Sequence, residues 1–296
     1  MPGVIRNLQS AICNQQSAIR RYWPLIKSLQ TGLLLATGLA GYLSAHQAAP
    51  GPLTLLGLAG SLFLAISGST VLNMVYDRDI DAVMQRTCWR PLPRGLVTPA
   101  AARRLGLILS ALGVGWALAI QPLFGLIVAA GWFFDVVVYT VWLKRRTPYS
   151  ILIGGLAGGM PVLAGRALAL GQVDVVGVAL ALGVLLWIPT HIMTFNLRRF
   201  ADYQAARIPT FPAAYGFRAT RLIIAASSLA AALVMGWVAA TIGARIGGLA
   251  ALGVMGLGLL GLAVLGVARP SPKASFALFK YASLYMFAAM LVVAGR

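Results

Sequence analysis

The sequence predicts an all-α, polytopic membrane protein with nine transmembrane helices. Hydrophobic residues make up 59% of the chain and charged residues only 10%, whereas a soluble domain carries roughly 25% charged residues. Apolar runs close to the ~20 residues needed to cross a bilayer recur along the whole length. The 33 glycines favour close packing between helices in lipid. Together these features exclude a soluble globular domain and a disordered chain.

The predicted helices are nine apolar segments, each close to the length that spans a bilayer. Their limits are residues 23–45, 53–76, 104–120, 123–143, 149–170, 174–196, 220–242, 246–268 and 276–295. The break between the third and the fourth rests only on Gln121-Pro122. Residues 1–22 lack the apolar core of a signal peptide, so we expect a cytoplasmic N-terminal segment followed by one transmembrane domain, residues 23–296.

The charges indicate the orientation of the chain. It holds 24 Lys and Arg against six acidic residues, all of them Asp. If nine helices alternate in direction, every basic residue except Arg166, Arg245 and Arg296 falls on one side. Basic residues collect in cytoplasmic loops, so this bias predicts a multi-pass protein of the cell membrane with a cytoplasmic N-terminus and an external C-terminus. The bias accounts for the basic composition without nucleic acid as a partner, and no structural disulfide is expected between Cys13 and Cys88.

The first candidate site follows the second predicted helix. Asn73, Asp77 and Asp81 are spaced i, i+4 and i+8, so on a helix they form one stripe, and Asp79 points away from it. Two neighbouring carboxylates repel each other and therefore favour a bound cation. Mg²⁺ binds one or two carboxylates and completes its shell with waters and substrate phosphate oxygens. The alternative is that these aspartates balance nearby arginines on a solvated surface.

The second candidate site lies at the end of the sixth predicted helix. His191, Phe195, Arg198 and Asp202 are spaced i, i+4, i+7 and i+11, which again predicts one helical stripe. Such a stripe could present a further metal ligand and a basic contact for phosphate. The alternative is an Arg198–Asp202 ion pair beside a hydrogen-bonded histidine.

A third candidate site ends the fourth predicted helix, where Tyr139 is followed by Lys144 and Arg145. A basic cluster after an apolar helix is most often a topology anchor. The alternative is that Lys144 or Arg145 reaches inward to neutralise a diphosphate. Asp135, two turns earlier, could bind an arginine or shape a pocket, and the sequence does not decide between these.

Four strings resemble the UbiA-type intramembrane prenyltransferases, and in particular the branch of that family that farnesylates heme. They are residues 73–93, 139–148, 154–161 and 202–209. The resemblance implies a helical bundle around a central cavity that opens toward the membrane. It also implies Mg²⁺ and an isoprenyl diphosphate as cofactor and substrate. The expected reaction is farnesyl transfer from farnesyl diphosphate to a vinyl group of heme B, giving heme O.

The resemblance also implies residue roles. Residues of both acidic stretches would hold the metal and the diphosphate, namely Asn73, Asp77, Asp81 and Asp202. The three aspartates are the expected metal ligands. Lys144 would stabilise the leaving group. Contacts to substrates are expected from Arg90, Tyr139, Arg145, His191, Asn196 and Arg198.

Two other interpretations remain open at this point. The acceptor could instead be an aromatic quinone precursor or a polar lipid. A transporter is the alternative from another class, with intramembrane aspartates as ion ligands. A transporter should carry polar residues near the middle of several helices, whereas here the aspartates cluster at one membrane face. Nothing in the sequence predicts an oligomeric state.

Overall fold

The computed structural model describes residues 21–45 and 51–295, and it is helical with no β-strand in those ranges. Nine helices of this part of the chain build the bundle. They are Ser28–Leu43 (α1), Pro52–Tyr76 (α2), Pro99–Ile120 (α3), Pro122–Leu143 (α4), Ser150–Leu170 (α5), Val175–Arg198 (α6), Phe211–Thr241 (α7), Ile246–Ala268 (α8) and Pro272–Ala294 (α9). The all-α, multi-pass class is confirmed.

Eight of these helices, α2 to α9, are long and apolar enough to cross a membrane. The first predicted span, 23–45, is α-helical only over the 16 residues of α1, a length of roughly 24 Å. A short 3₁₀ turn, Trp23–Ile26, precedes it. The predicted number of nine is therefore approximate. Of the predicted N-terminal segment 1–22, only the last two residues belong to the described part of the chain.

The predicted break between the third and fourth spans is confirmed. Gln121 has an extended backbone, with φ −157° and ψ 128°, and Pro122 begins α4. The second half of α4, Phe134–Leu143, is a π-helix. Its wider turn is seen where the amide of Lys144 donates to the carbonyl oxygen of Tyr139 at 2.9 Å, five residues back.

Two connections between helices contain short helices of their own. Arg78–Val83 forms loop helix 1 after α2, and Phe200–Ala205 forms loop helix 2 after α6. Helix α7 begins at Phe211, nine residues before the predicted start, because a first turn is added ahead of a kink. Gly216 makes that kink with φ 81°, a conformation that glycine adopts without strain.

The cavity of this fold is enclosed by six helices in the order α1, α2, α4, α5, α6 and α9, each packed on the next, with α9 closing onto α1. Helices α3, α7 and α8 pack outside this ring. The pair α2 and α4 therefore lies across the cavity from the pair α6 and α9. We call the end of the bundle that carries Asp77 and Asp202 the acidic face, and the other end the opposite face.

Close backbone contact holds α1 against α5. A Cβ atom added at Gly41 would overlap the carbonyl oxygen of Val162, and one added at Gly165 would overlap the carbonyl oxygen of Gly38. Only glycine permits this approach, which is a common way to pack helices in lipid. The contact fixes α1 as one wall of the cavity.

Arg166, one of the three arginines that fall outside the basic side, ties helices together at the opposite face. Its guanidinium donates to both carboxylate oxygens of Asp174, at 2.8 and 2.7 Å, and to the carbonyl oxygen of Ser44 at 2.7 Å. Asp174 also accepts from the amide of Gly177 at 2.9 Å and so caps α6. The hydrogen bond from Arg166 holds the pKa of Asp174 below its ordinary value. One buried cation thus joins the end of α1, the end of α5 and the start of α6.

We predict that Gly41→Ala destabilises the bundle, by about 1–3 kcal/mol, because the new methyl group forces α1 away from α5. Gly32→Ala is the matched control on the same helix, since a Cβ at Gly32 meets no atom within 4 Å. The control should raise stability slightly, by about 0.5–1 kcal/mol. Thermal unfolding in detergent measures both, and equal melting temperatures for the two variants would contradict the close contact.

We also predict that Asp174 makes stability depend on acid. The pKa of Asp174 is lower in the folded state than in the unfolded state. Its contribution to the free energy of unfolding is therefore present above the ordinary pKa of about 3.8, and it is lost as the pH falls through the pKa of the folded state. Asp174→Asn should therefore lower the melting temperature at neutral pH and reduce the further loss between about pH 5 and pH 2. Melting curves across that range test this, and parallel curves for the wild type and the variant would refute it.

Candidate active site

The first acidic stretch forms a buried ladder at the acidic face. Asn73, Asp77 and Asp81 are 8%, 2% and 4% exposed. The predicted single helix is interrupted, since α2 ends at Tyr76 and Asp77 leaves helical geometry with φ −89° and ψ 6°. The spacing survives because the amide of Asp77 donates to Asn73 and that of Asp81 donates to Asp77, at 2.9 and 2.8 Å. The three side chains are therefore held in the predicted order along a helix and its continuation.

Asp77 is paired with Lys144 from the end of α4. The Nζ atom of Lys144 donates to Oδ2 of Asp77 in a largely buried ion pair. The other oxygen, Oδ1, is buried and has no hydrogen-bond partner in the described part of the chain. Lys144 Nζ also lies 5.6 Å from the centre of the Tyr139 ring. Lys144 was considered either as a topology anchor or as a cation that reaches inward. The structure places its side chain inward, at the site.

Asp81 is paired with a different cation. Nη1 of Arg90 donates to its Oδ2 atom at 2.7 Å. The connection between them is held by Thr87, whose hydroxyl donates to the carbonyl oxygen of Asp81 at 3.1 Å. Each of the two aligned carboxylates thus has one cation of its own, so their mutual repulsion is offset within the chain.

Asp79 points outward, as predicted. Arg145 grips both of its carboxylate oxygens, at 2.7 and 2.8 Å, and donates to the carbonyl oxygen of Tyr76 at 2.7 Å. The hydrogen bond from Arg145 lowers the pKa of Asp79. With the Asp79 side chain 62% exposed, this is a surface pair, which contributes little stability. Arg145 therefore lies outside the buried ladder, in contrast to Lys144.

The second stretch does not form the predicted stripe. Helix α6 ends at Arg198, Arg199 is non-helical, and Asp202 lies on loop helix 2. Among the described residues, the alternative Arg198–Asp202 ion pair is also not formed, and the Arg198 guanidinium instead lies 4.1 Å from the centre of the Phe276 ring. Arg198 thus faces α9, away from the position predicted for a phosphate contact.

Several polar atoms at this second stretch are buried without a partner in the described ranges. They are Oδ2 of Asp202, both amide atoms of Asn196 and Oγ1 of Thr194, and Nε of Arg86, from the connection after α2, is also without a partner. An unpaired buried polar group costs free energy. Its presence in several neighbouring side chains is typical of a ligand site.

Arg86 is a site residue that the sequence interpretation missed. Its guanidinium lies 5.2 Å from the centre of the Phe195 ring on α6, although Arg86 itself belongs to the connection after α2. The signal available was its place in the same string as Asp81 and Arg90. The two connections also share an apolar cluster, in which Ile80 and Met84 pack with Ile208. Both acidic stretches are thereby brought to one end of the bundle.

The carboxylates do not form a complete metal cage. Within residues 21–45 and 51–295, no three His, Cys, Asp or Glu side chains come together in a group that could hold a metal ion. The free oxygens of Asp77 and Asp202 are nevertheless the hard donors that Mg²⁺ prefers. A magnesium ion there would need waters or substrate phosphate oxygens to complete its coordination.

A cavity of about 870 Å³ lies inside the six-helix ring. Its lining is mostly apolar, with a polar end formed by Ser69, Asp135 and Tyr139. This end connects to the acidic ladder through Thr140, whose hydroxyl donates to the carbonyl oxygen of Asp135 at 2.7 Å and accepts from Nδ2 of Asn73 at 2.8 Å. The head of the cavity therefore adjoins the buried carboxylates.

The cavity opens sideways between α1 and α9. Leu29 and Leu33 of α1, and Phe287 and Leu291 of α9, line the cavity and are also exposed on the outside of the bundle. In a membrane these side chains would meet lipid tails. An apolar molecule can therefore pass between the bilayer and the cavity without crossing water.

His191 lines the cavity between two aromatic rings, with ring centres 4.7 Å from Trp187 and 4.5 Å from Phe279. Its Nδ1 atom lies 3.2 Å from the hydroxyl of Ser283, which also donates to the carbonyl oxygen of Phe279 at 3.1 Å. The imidazole of His191 is therefore held by two stacked rings and by one contact with a hydroxyl.

Fold and site together define an integral membrane protein with buried carboxylates and cations at one face beside a largely apolar cavity among its helices. The model of the UbiA prenyltransferase family matches residues 34–291. The chain belongs to the UbiA prenyltransferase family, and it is a multi-pass membrane prenyltransferase.

Two curated relatives that are similar to this chain carry the same name. A protein from Pyrobaculum arsenaticum named protoheme IX farnesyltransferase is 43% identical over 238 residues, which cover 79% of this chain and 85% of the relative. A protein of the same name from Korarchaeum cryptofilum is 42% identical over 205 residues, 69% of each chain.

Solved structures share the fold. One that concerns digeranylgeranylglyceryl phosphate synthase aligns with a TM-score of 0.79 over 94% of this chain and 97% of its own, at 19% identity. A UbiA homologue from Archaeoglobus fulgidus, bound to DMAPP and Mg²⁺, aligns with a TM-score of 0.68 over 92% of this chain and 99% of its own, at 15% identity. At these identities the likeness establishes the fold alone.

Proposed function

We propose that this protein transfers the farnesyl group of farnesyl diphosphate to a vinyl group of heme B and so produces heme O. The observation that carries the proposal is the junction of two environments, since buried carboxylates and cations adjoin the polar end of a largely apolar cavity. An isoprenyl diphosphate has the matching chemistry, with an anionic head and an apolar chain. The names of relatives about 40% identical support protoheme IX as the acceptor.

The charges of the ladder suit a magnesium diphosphate. Asp77, Asp81 and Asp202 would hold Mg²⁺, with Asn73 beside them, and two of these aspartates have a buried oxygen without a partner in the described ranges. When bound, Mg²⁺ supplies positive charge that stabilises the diphosphate as it leaves. Lys144 and Arg90, now paired with the carboxylates, would pass to the diphosphate oxygens once metal and substrate arrive together.

The reaction needs loss of diphosphate and attack by the vinyl group. The bond between the first farnesyl carbon and the diphosphate oxygen breaks, and the diphosphate leaves with the electron pair. The terminal vinyl carbon of heme B bonds to the allylic carbon, and the inner vinyl carbon becomes positive. Water adds to that carbon and releases a proton, so the vinyl group becomes a hydroxyethylfarnesyl group. Lys144 stabilises the departing charge, and the apolar walls limit premature capture by water.

Two further predicted contacts, His191 on α6 and Tyr139 on α4, line the cavity. His191 lines the cavity and is stacked between Trp187 and Phe279, so this wall offers aromatic rings that suit a flat porphyrin. Tyr139 forms part of the polar wall close to Lys144. The distribution of basic residues supports a cytoplasmic acidic face, where the soluble diphosphate would enter.

We predict that Asp77→Asn, and equally Asp81→Asn, lowers Mg²⁺-dependent turnover by at least about a hundredfold, because each removes a charge aimed at the metal diphosphate. Asp79→Asn is the matched control two residues from each of them, and because Asp79 forms only an exposed pair with Arg145, turnover should stay within about twofold. Single-turnover rates of purified variants measure the effect. Normal activity in Asp77→Asn, or an equal loss in all three variants, would contradict the assigned roles.

The acceptor is tested directly by incubating purified protein with Mg²⁺, farnesyl diphosphate and heme B. We predict that mass spectrometry finds a porphyrin heavier by one farnesyl group and one hydroxyl group, formed only when Mg²⁺ is present. An unmodified porphyrin, together with prenylation of a phenolic acid or a polar lipid supplied in parallel, would refute heme as acceptor and retain the prenyltransferase chemistry.

A further inference from the structure

A second, smaller cavity lies at the acidic face between the ends of α6 and α9. It has a volume of about 280 Å³. Its lining consists of Thr194, Phe195, Arg198, Arg199, Ser275, Phe276 and Phe279. We call it the α6–α9 pocket. Its wall contains two arginines and no acidic residue.

Among the described residues, neither Arg198 nor Arg199 forms an ion pair, and both are exposed at the acidic face. The Phe276 ring has Arg198 at 4.1 Å and Lys280 at 4.5 Å from its centre. In the part of the chain that the structure describes, the ion pairs of Asp77, Asp79, Asp81 and Asp174 all involve other cations. The hydroxyl of Thr194, a residue 2% exposed, is also buried there without a partner. A pocket with these properties favours an anionic ligand that accepts hydrogen bonds.

The pocket adjoins the main cavity through a shared wall. Phe279 lines both spaces, and on the cavity side its ring stacks on His191 at 4.5 Å. Arg198 follows His191 by two helical turns of α6, roughly 10 Å along the helix axis. One molecule could therefore place an apolar ring system beside His191 and an anionic edge beside the arginines.

The α6–α9 pocket lies across the ring of helices from the acidic ladder, and among the described residues its Arg198 packs on Phe276 of α9 and forms no ion pair with Asp202, four residues on. The acidic ladder belongs to α2 and its partner Lys144 to α4, which lie across the cavity from α6 and α9. A ligand that is held by Arg198 and extends across the cavity would therefore point its opposite edge toward the helices that carry the acidic ladder.

We propose that the α6–α9 pocket binds the carboxylates of the acceptor, with Arg198 and Arg199 as the contacting residues. This inference rests on the proposed function, because heme B carries two propionate groups on one half of a flat macrocycle and its vinyl groups on the other. Anchoring the propionates at α6 and α9 turns the vinyl edge toward the diphosphate at α2 and α4. Arginine suits this task because its planar guanidinium binds carboxylate through two parallel hydrogen bonds.

The experiment compares heme B with its dimethyl ester, which lacks the negative charges but keeps the macrocycle and vinyl groups. For the wild type we expect a KM about tenfold higher with the ester than with heme B, the cost of about one charged hydrogen bond. Arg198→Gln and Arg199→Gln should raise the KM for heme B by a similar factor and reduce the preference for heme B over the ester. The KM for farnesyl diphosphate should not change.

Arg218→Gln serves as the matched control. The substitution removes the same charge, but Arg218 is exposed on α7 and lies outside the pocket. It should keep both KM values and the preference for the acid. Equal KM values for heme B and its ester in the wild type, or an unchanged preference in both pocket variants, overturn the carboxylate site while the proposed function stands. Wild-type protein that farnesylates neither porphyrin overturns the proposed function and, with it, this inference.

Discussion

The contact between Lys144 and Asp77 is the interaction on which the site depends. A carboxylate buried at the end of a membrane helix is costly unless a cation lies beside it. Lys144 provides that cation from another helix, so α2 and α4 must meet at one register for the ladder to exist. Arg90 does the same for Asp81 from the following connection. The two aligned carboxylates of the ladder are thus each paired with a cation before any substrate arrives, and the same cations are available to a diphosphate.

The rest of the bundle keeps this polar cluster at one end of an apolar chamber. The close approach at Gly41 and Gly165 holds α1 against α5 without filling the space inside the ring. At the opposite face Arg166 fixes the ends of the same helices by hydrogen bonds instead. Because both devices act outside the chamber, the lining remains free to accept an isoprenoid chain and a flat acceptor. The sideways opening between α1 and α9 adds a route for molecules that dissolve in lipid.

Much of the fold follows from hydropathy, and the ladder follows from spacing. A run of ~20 apolar residues has few alternatives to a spanning helix, and even the break at Gln121 was visible because Pro122 cannot continue the helix before it. Long-range contacts were not visible. Arg198 packs on Phe276 and does not pair with Asp202, and His191 contacts Phe279 and Ser283 of α9. Nothing in the local sequence of α9 predicts these contacts. Spacing along one helix cannot predict which neighbour a side chain meets.

The π-helical half of α4 has a consequence for how this protein tolerates change in length. A π turn accommodates one residue more than an α turn, and each residue added to or removed from a helix rotates everything beyond it by about 100°. The inward aim of Lys144 is therefore set by the number of residues between Phe134 and Leu143 as well as by their identity. Loss of a single residue in that stretch would leave the helix hydrophobic and able to cross the bilayer. It would nevertheless rotate Lys144 away from Asp77. If an alignment places a gap in this stretch, the residues that it aligns beyond the gap lie on different sides of the helix in the two proteins.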